Sequence, residues 1–572
     1  MTCYQHKLLI DSSSEIRLVN LLPGHETDPI RITITHAMLG SGVSYDALSY
    51  TWGDPNVTTT ISVDDLPFKI TLNLESALCH LRLHSEPRII WIDAICIQQT
   101  DVEERDQQVR RMGSIYANSN EVLVWLGPAA DDSELALDII GEDFCEKIIQ
   151  QEIIEGSDTP PERELVTTRS LNAVVKLFDR PWWRRGWIIQ EVTSRDNVVL
   201  YCGHVKVSWR VILPTLESFD RRSWVDGRSK IKTRSKANDT YWDALKRSFT
   251  PPRYLFQPVG NGIEFWLSVL RKFNTTDPKD KFWIALSLSG HPPSKRYCEP
   301  QYSWSLTRTY GFIVWHLLDF HKSLRALEYC SLAMSMSLPS WIPDWRLHEN
   351  NEMEPLSGWA KDHQACGNSE LFYEFSDEIC LHLKGFVFDC AESFPDITNG
   401  DNVIPPDKLL QEAATIGPIY KPSGELSKIA LVRVSIADLN EHIINAYNFL
   451  LASAKEKEEL QVPTVYPILN PDGEANPHAN NWLHILSQYS QYALIGRKYF
   501  RCSRKYIGLV PAAAQKGDLI SIFLGGRTPF LIRPAGEHYL MVGACYVHGI
   551  MNGEAMEDFE KMGGEIQDFY LL

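Results

Sequence analysis

The sequence predicts an α/β protein, in which a parallel sheet with flanking helices is followed by a helical region and a β-rich C-terminal domain. Between residues 45 and 205, short apolar runs typical of buried strands alternate with amphipathic helical segments. This order favours parallel strands with helices on both faces of the sheet. Helical periodicity dominates the middle of the chain, and apolar segments between glycine-rich turns close it.

The chain has 572 residues, of which 44% are hydrophobic, enough for two or three domains with sizeable cores. Two strands are expected near the N-terminus, and the clearest helices of the middle region are expected near residues 263–270 and 310–320. We predict N-terminal strands in 1–44, an α/β domain in 45–205, a helical middle region in 206–350 and a β-rich domain in 351–572. For the last domain, both a small antiparallel barrel and a sandwich fit the pattern.

The first strand of the α/β domain begins at Tyr45 and ends before the turn Gly53-Asp54-Pro55. This turn leaves Ser49, Tyr50 and Trp52 at or near the carboxyl end of the strand. In parallel sheets, ligands bind beyond the carboxyl ends of the strands. These three side chains are therefore candidates for a binding site.

The next strand is predicted over the apolar run Ile89–Ile97, which contains a single acid, Asp93. A capping-box pattern at 100–103 then predicts a helix with Met112 and Tyr116 on its apolar face. The run Val122–Leu126 predicts a further buried strand. Asp93 has two interpretations: a catalytic base, or a structural acid that binds a helix N-terminus or an arginine such as Arg105.

The segment from Pro181 to Val192 contains three tryptophans, two arginines and one acid, Glu191, among apolar neighbours. A carboxylate in such surroundings is costly to desolvate unless a partner or a function compensates for its burial. Arg184 and Arg185 are the structural partners to consider. The sequence leaves two interpretations open, an Arg–Glu pair that anchors a helix and a functional acid.

We expect Glu191, Tyr50 and Trp52 to border one cleft at the carboxyl edge of the sheet. Trp52 and Trp187 either stack on a ligand ring or belong to the core. A Glu191 that faces away from residues 49–54, fully paired with Arg184 or Arg185 in a closed core, would argue against an enzyme.

The formal charge of -17 argues against nucleic acid or an anionic membrane as the main partner. One basic run, residues 221–236, lacks apolar periodicity and is interpreted as a solvated loop. An acidic insertion at 131–164 is interpreted as a partly helical segment with a mobile loop.

The twelve cysteines show no CxxC pair and no metal-ligand spacing with histidine, so we expect reduced thiols, no metal site and no bound cofactor. Without a signal peptide or a long apolar stretch, we expect a cytoplasmic protein. His548 is interpreted as a turn or core residue.

Five blocks of this sequence resemble, in order, those of the fungal heterokaryon incompatibility (HET) domain. They are Tyr45–Gly53, Trp91–Gln98, Glu104-Arg105 with Met112 and Ile115-Tyr116, Val124–Gly127 and Arg180–Glu191. Three further blocks are similar to downstream parts of long fungal HET proteins: Thr276–Lys281, Leu338–Trp345 and Gly543–Glu554. The resemblance implies a protein of fungal self/non-self recognition and programmed cell death, a form of innate immunity.

HET domains are thought to be relatives of TIR domains, some of which cleave NAD, and this second resemblance implies a TIR/flavodoxin-like sheet. The spacing from Trp187 to Glu191 is similar to the TIR segment that carries the catalytic acid, so Glu191 becomes the candidate catalytic residue. The candidate residues for binding NAD, as substrate and not as cofactor, are Ser49, Tyr50, Trp52, Asp93 and Trp187.

The predicted function is therefore heterokaryon incompatibility, with TIR-like NAD hydrolysis as the candidate chemistry. Two alternatives remain open: a non-catalytic module that signals death by oligomerising, and a HET-like fold recruited to small-molecule metabolism. For NAD hydrolysis and for the non-catalytic module alike, we expect a protein partner or a second copy of the chain to trigger activation.

Overall fold

The structure is a computed structural model of the chain. It describes residues 3–11, 14–140, 168–195, 197–225, 248, 255, 262–289, 301–332, 337–346, 363–376, 379–398, 406–437, 490 and 493–572. The chain divides into two compact units, the first formed by 1–226 and 231–304 and the second by 227–230 and 305–572. The finer division into four segments stays a prediction.

A nine-stranded mixed sheet forms the centre of the first unit, in the spatial order β5-β4-β2-β1-β6-β3-β7-β8-β9. Its strands are β1 (Glu15–Leu21), β2 (Arg31–Met38), β3 (Asp46–Tyr50), β4 (Thr58–Val63), β5 (Leu66–Thr71), β6 (Arg88–Trp91), β7 (Val122–Trp125), β8 (Val198–Cys202) and β9 (Val205–Ser208). The helices of this unit are α1 (Leu72–Leu81), α2 (Asp93–Cys96), α3 (Val102–Asn118), α4 (Ser133–Ile139), α5 (Thr168–Phe178), α6 (Ile188–Thr193), α7 (Trp209–Val225), α8 (Ile263–Leu270) and α9 (Asp280–Leu288), with a 3-10 turn at Pro181–Arg184.

The predicted α/β class is confirmed, and the parallel strands lie at the centre of the sheet. Strands β6, β3, β7 and β8 are neighbours and pair in parallel. Numbered by their order along the chain, they read 2-1-3-4, which is the flavodoxin-like order. The sheet as a whole is mixed, because β1 pairs antiparallel with both β2 and β6. The two expected N-terminal strands thus extend the parallel core as part of the same sheet.

Two local predictions in this unit are wrong. The strand predicted over 89–97 ends at Trp91, because the chain turns into α2, where the Cys96 amide donates to the Ile92 carbonyl over 2.7 Å. The cap of α3 is Asp101 and not Thr100, since the Asp101 carboxylate accepts the Glu104 amide over 3.1 Å. Asp93 therefore begins a helix at the edge of the sheet instead of lying inside a strand.

Arg17 on β1 and Glu104 on α3 form a buried ion pair of 2.6 Å that joins the sheet to this helix. Met112 and Tyr116 are buried on α3, as predicted.

The second unit is built on strands that its sequence predicted only in part. They are β10 (Tyr373–Phe375), β11 (Leu381–Ser393), β12 (Ile419–Tyr420), β13 (Glu425–Leu426), β14 (Arg497–Cys502), β15 (Ile507–Pro511), β16 (Leu519–Phe523), β17 (Phe530–Ala535), β18 (His538–Ala544), β19 (Tyr546–Val547) and β20 (Gln567–Leu571). Its helices are α10 (Leu306–His321), α11 (Pro406–Ile416), α12 (Ser427–Ser435) and α13 (Glu554–Lys561), with a 3-10 turn at Leu324–Tyr329. The two helices expected in the middle of the chain are confirmed as α8 and α10.

Five of these strands close into a barrel. Strand β11 pairs with β16, β16 with β17, β17 with β18, β18 with β20, and β20 again with β11. A register shift between Val387 and Asp389 bends the long β11, whose far end also pairs with β14. Of the two architectures that the pattern allowed, the structure has the barrel.

Parts of two predicted loops lie outside the described residues. The acidic insertion begins with α4, and residues 141–167 are not described. The basic run begins in the last turn of α7, and residues 226–236 are not described. Among the described residues, no helix is both long and apolar enough to cross a membrane.

Candidate functional site

Glu191 lies on α6 and is 1% exposed. Its carboxylate accepts a hydrogen bond from the Ser49 hydroxyl at the end of β3. The Trp182 indole N–H in turn donates to Ser49 Oγ over 2.8 Å. Because β3 and the Pro181–Glu191 segment meet here, Glu191 faces the carboxyl end of the central parallel strand.

Arg185 is the cation that pairs with Glu191. Its Nη1 lies 3.3 Å from Glu191 Oε2, and its Nη2 lies 3.4 Å from Oε1. Arg184 has other partners, the Ser248 carbonyl at 3.2 Å and the Asp179 carboxylate at 3.5 Å. The 3-10 turn ends at Arg184, so consecutive arginines have different partners.

Asp93 forms the second acidic part of the site. One of its oxygens accepts the Ala94 amide over 2.7 Å, and the other accepts the Trp52 indole N–H over 2.8 Å. The buried Tyr50 side chain also lowers the pKa of this carboxyl, which its burial raises. The helix N-terminus is thus a partner of Asp93, as the structural interpretation proposed, whereas Arg105 stacks over the Tyr302 ring at 4.3 Å.

Arg185 pairs directly with Glu191 and acts on Asp93 through its charge alone. Burial raises the pKa of both Glu191 and Asp93, and the nearby Arg185 only partly opposes that effect. Burial by itself would lower the pKa of Arg185, but the charges of Glu191 and Asp93 outweigh it and raise the pKa. If both acids ionise, the cluster formed by Asp93, Arg185 and Glu191 carries one unbalanced negative charge.

The sequence predicted a cleft bordered by Glu191, Tyr50 and Trp52. Ser49, Asp93 and Glu191 are brought to the same edge of the sheet, but Glu191 and Tyr50 are each 1% exposed and do not line an open cleft in this structure. Trp52 is 36% exposed, far more than Ser49, Tyr50, Asp93 or Glu191. Glu191 therefore faces residues 49–54, as expected for a functional acid. It is also paired with Arg185, as expected for an Arg–Glu pair that anchors a helix.

Trp187 points to a different group, one that the sequence reasoning missed. Its indole N–H donates to the Asp280 carboxylate over 3.1 Å, and the Tyr302 hydroxyl donates to the other oxygen. Burial raises the pKa of Asp280 to about 6, although these two hydrogen bonds oppose it. Asp280 belongs to the block 276–281, whose resemblance to long HET proteins was the available signal.

A pocket of about 360 Å³ opens at the carboxyl ends of β3 and β7, and Asp93, Arg185 and Glu191 are not among its lining residues. This is where the strand order reverses, the place at which open α/β sheets bind ligands. Arg180 donates to the carbonyls of Leu126 and Pro128, each over 3.0 Å, and so shapes one wall. The lining residues are Thr51, Gly53, Asn73, Trp125, Leu126, Gly127, Pro128, Ala130, Asp131, Arg180 and Pro181.

Comparisons with known proteins identify two families and one relative. The family described as "Heterokaryon incompatibility protein (HET)" matches residues 45–191, and the "Het-6 beta-barrel domain" matches residues 478–572. The chain is 27% identical over 686 residues to "Heterokaryon incompatibility protein 6, OR allele" of Neurospora crassa, an alignment that covers 100% of this chain and 98% of the relative. No solved structure matches the chain. With both family domains matched in order and a relative aligned over its whole length, the chain carries a HET domain and is similar throughout to a fungal heterokaryon incompatibility protein.

Proposed function

We propose that this protein acts in fungal self/non-self recognition and, when triggered, kills the cell by cleaving NAD with Glu191. The observation that carries the chemistry is the buried cluster of Asp93, Arg185 and Glu191, in which Arg185 pairs with Glu191 and is the nearby cation for both acids. Clusters of buried titratable groups with shifted pKa values are typical of functional sites. The name of the Neurospora relative supports the biological role over a role in small-molecule metabolism.

An unbalanced carboxylate suits the cleavage of NAD. The nicotinamide of NAD is a cation, and it leaves with the electron pair of its bond to ribose, so its nitrogen needs no proton. The ribose becomes oxocarbenium-like, and water then adds to it with release of a proton. A carboxylate at Glu191 stabilises the developing positive charge and accepts hydrogen bonds from ribose hydroxyls.

The described conformation fits a resting state in this proposal. The Arg185 side chain is 17% exposed and that of Glu191 is 1% exposed, so Arg185 is the group nearer to solvent. Arg185 must move before a ribose can reach the carboxylate, and the substrate then replaces it as the cation beside Glu191. The pocket at β3 and β7 falls within the usual size of ligand sites, about 300–1,000 Å³, and offers a place for the rest of the dinucleotide. A protein partner or a second copy of the chain would provide the trigger, and we place the protein in the cytoplasm.

A second candidate is a death-signalling module that assembles without catalysis. The observation that favours it is the closed state of Glu191. Arg185 donates to both carboxylate oxygens of Glu191, and Ser49 donates to one of them. In this case Glu191 is a structural acid, and the Arg–Glu pair anchors α6 beside the sheet.

Glu191→Gln separates the two candidates, because it keeps the shape of the side chain and removes its charge. The full-length protein is expressed in a fungal host, and both cell death and cellular NAD are measured. If Glu191 is catalytic, nicotinamide release falls by ~10²-fold or more and toxicity is lost. Glu103→Gln, a change at an exposed acid of α3, is the matched control and leaves both unchanged. Toxicity that persists in a folded Glu191→Gln protein would reject catalysis and favour assembly.

A further inference from the structure

Glu26, His80 and His204 bring three ligating atoms within 4.8 Å of one another. Glu26 Oε1 lies 3.8 Å from His80 Nε2, and Glu26 Oε2 lies 3.5 Å from His204 Nε2. The two imidazole rings are 4.7 Å apart, centroid to centroid. The residues come from the β1–β2 loop, from α1 and from the β8–β9 turn, so only the fold brings them together.

We propose that these three residues bind a zinc ion. His80 Nδ1 lies 2.8 Å from the Ser76 carbonyl, which can only accept a hydrogen bond, so Nδ1 carries a proton. In the neutral ring, the Nε2 lone pair therefore faces the Glu26 carboxylate, and a cation between them is favoured. A carbonyl that fixes the tautomer of a ligating histidine is a common feature of metal sites.

The geometry lies close to that of a zinc site. Zinc binds histidine nitrogen and carboxylate oxygen at about 2.0–2.1 Å, which places tetrahedral ligands about 3.3 Å apart. The distances from Glu26 to the two histidines, 3.8 and 3.5 Å, run to different carboxylate oxygens, and the three ligating atoms lie within 4.8 Å of one another, so the group must contract to bind the ion. The side chains of Glu26 and His204 are 52% and 73% exposed, so they have room to close around the ion. Two histidines and one glutamate are also a ligand set of catalytic zinc sites, which keep the fourth position for water or substrate.

The proposed ion would lie beside the pocket at the carboxyl edge of the sheet. The His80 ring packs against Trp125, centroid to centroid 4.8 Å, and Trp125 lines that pocket. The Gly203 amide, next to His204, donates to the Gly127 carbonyl of the same pocket over 3.0 Å. Zinc would thus tie the β1–β2 loop and the β8–β9 turn to the rim of the pocket. This inference does not depend on catalysis by Glu191.

Titration of the chelator-treated full-length protein with zinc chloride, in competition with a chromogenic chelator, tests the proposal. We expect one zinc ion per chain and a higher melting temperature in its presence. His80→Ala and His204→Ala should each weaken binding by at least about 10-fold and remove the thermal shift. His84→Ala, at an exposed histidine outside the group, is the matched control and should bind like the wild type.

Absence of zinc binding by the wild type, or unchanged binding in both histidine variants, would overturn the proposal. Circular dichroism without metal shows that the variants are folded. The same ligand set also suits iron(II). Elemental analysis of the protein as purified distinguishes the two ions, and iron in place of zinc at these residues would overturn the choice of zinc.

Discussion

Glu191 in the first unit and Glu425 in the second are both acids with cationic neighbours, but their carboxyl groups are shifted in opposite directions. Burial raises the pKa of Glu191. Burial also acts on Glu425, but hydrogen bonding by His548 and the charges of His548 and Arg433 outweigh it and lower the pKa to about 2. The side chain of Glu191 is 1% exposed and that of Glu425 is 21% exposed.

The number of cationic neighbours explains this difference together with burial. Glu425 accepts hydrogen bonds from His548, from the Ser423 hydroxyl over 2.8 Å and from Arg433 over 3.2 Å. Glu191 shares its one arginine with Asp93. An acid with two cationic donors of its own is a structural anchor, whereas an acid with a single cation beside a second acid can accept another. His548, interpreted from sequence as a turn or core residue, is indeed buried.

Arg185→Gln should produce the largest effect, because it leaves Glu191 and Asp93 buried without their shared cation. We expect a loss of about 3–5 kcal/mol in the free energy of unfolding. Arg184→Gln is the matched control, since Arg184 pairs with an Asp179 side chain that is 47% exposed, and it should cost about 1 kcal/mol or less. Urea denaturation at pH 7 measures both. Equal losses in the free energy of unfolding for the two variants would show that Arg185 stabilises the protein no more than Arg184 does.

Exchanging each acid for its amide tests the comparison directly. Glu425→Gln removes a charged acceptor from several donors and should destabilise the protein by about 2 kcal/mol. Glu191→Gln removes an unbalanced charge and should change stability by less than about 1 kcal/mol at pH 7, because the charge of Asp93 still acts on Arg185, whose side chain is 17% exposed. The two melting temperatures, measured side by side, check this. A larger loss of stability for Glu191→Gln than for Glu425→Gln would contradict the assignment of Glu425 as the structural anchor and Glu191 as the candidate site residue.

Asp280 extends the comparison to pH. Its pKa is raised from 3.8 to about 6, so the folded state holds the proton more tightly than the unfolded state does. The stability that it contributes is complete below about pH 4 and is lost as the pH rises through about 6. Between pH 7 and pH 5, the wild type should therefore gain about 1 kcal/mol that Asp280→Asn lacks. Urea denaturation at the two pH values measures the free energy of unfolding of both proteins. An equal change between pH 7 and pH 5 in the wild type and in Asp280→Asn would contradict the expectation.

Local sequence patterns were sufficient to locate the strands that build the site. The apolar runs near Ala47 and Leu123 lie in strands as predicted, because apolar runs and turn residues act over a few positions. The breaker cluster at 53–55 correctly placed Ser49 and Tyr50 at the end of β3. The run at 89–97 failed, because an apolar segment fits a buried helix turn as well as a strand.

The sequence by itself determined the α/β class, the order of the family blocks and the presence of a buried acid at Glu191. Only the tertiary structure decided that Arg185 and not Arg184 pairs with it, that Asp93 shares this cation and that Trp187 donates to Asp280. It also closed the barrel through β11 and brought His80 to His204. The physical reason is distance along the chain. Periodicity and capping depend on neighbouring residues, whereas the partner of a buried charge is set by which distant segments the folded core brings together.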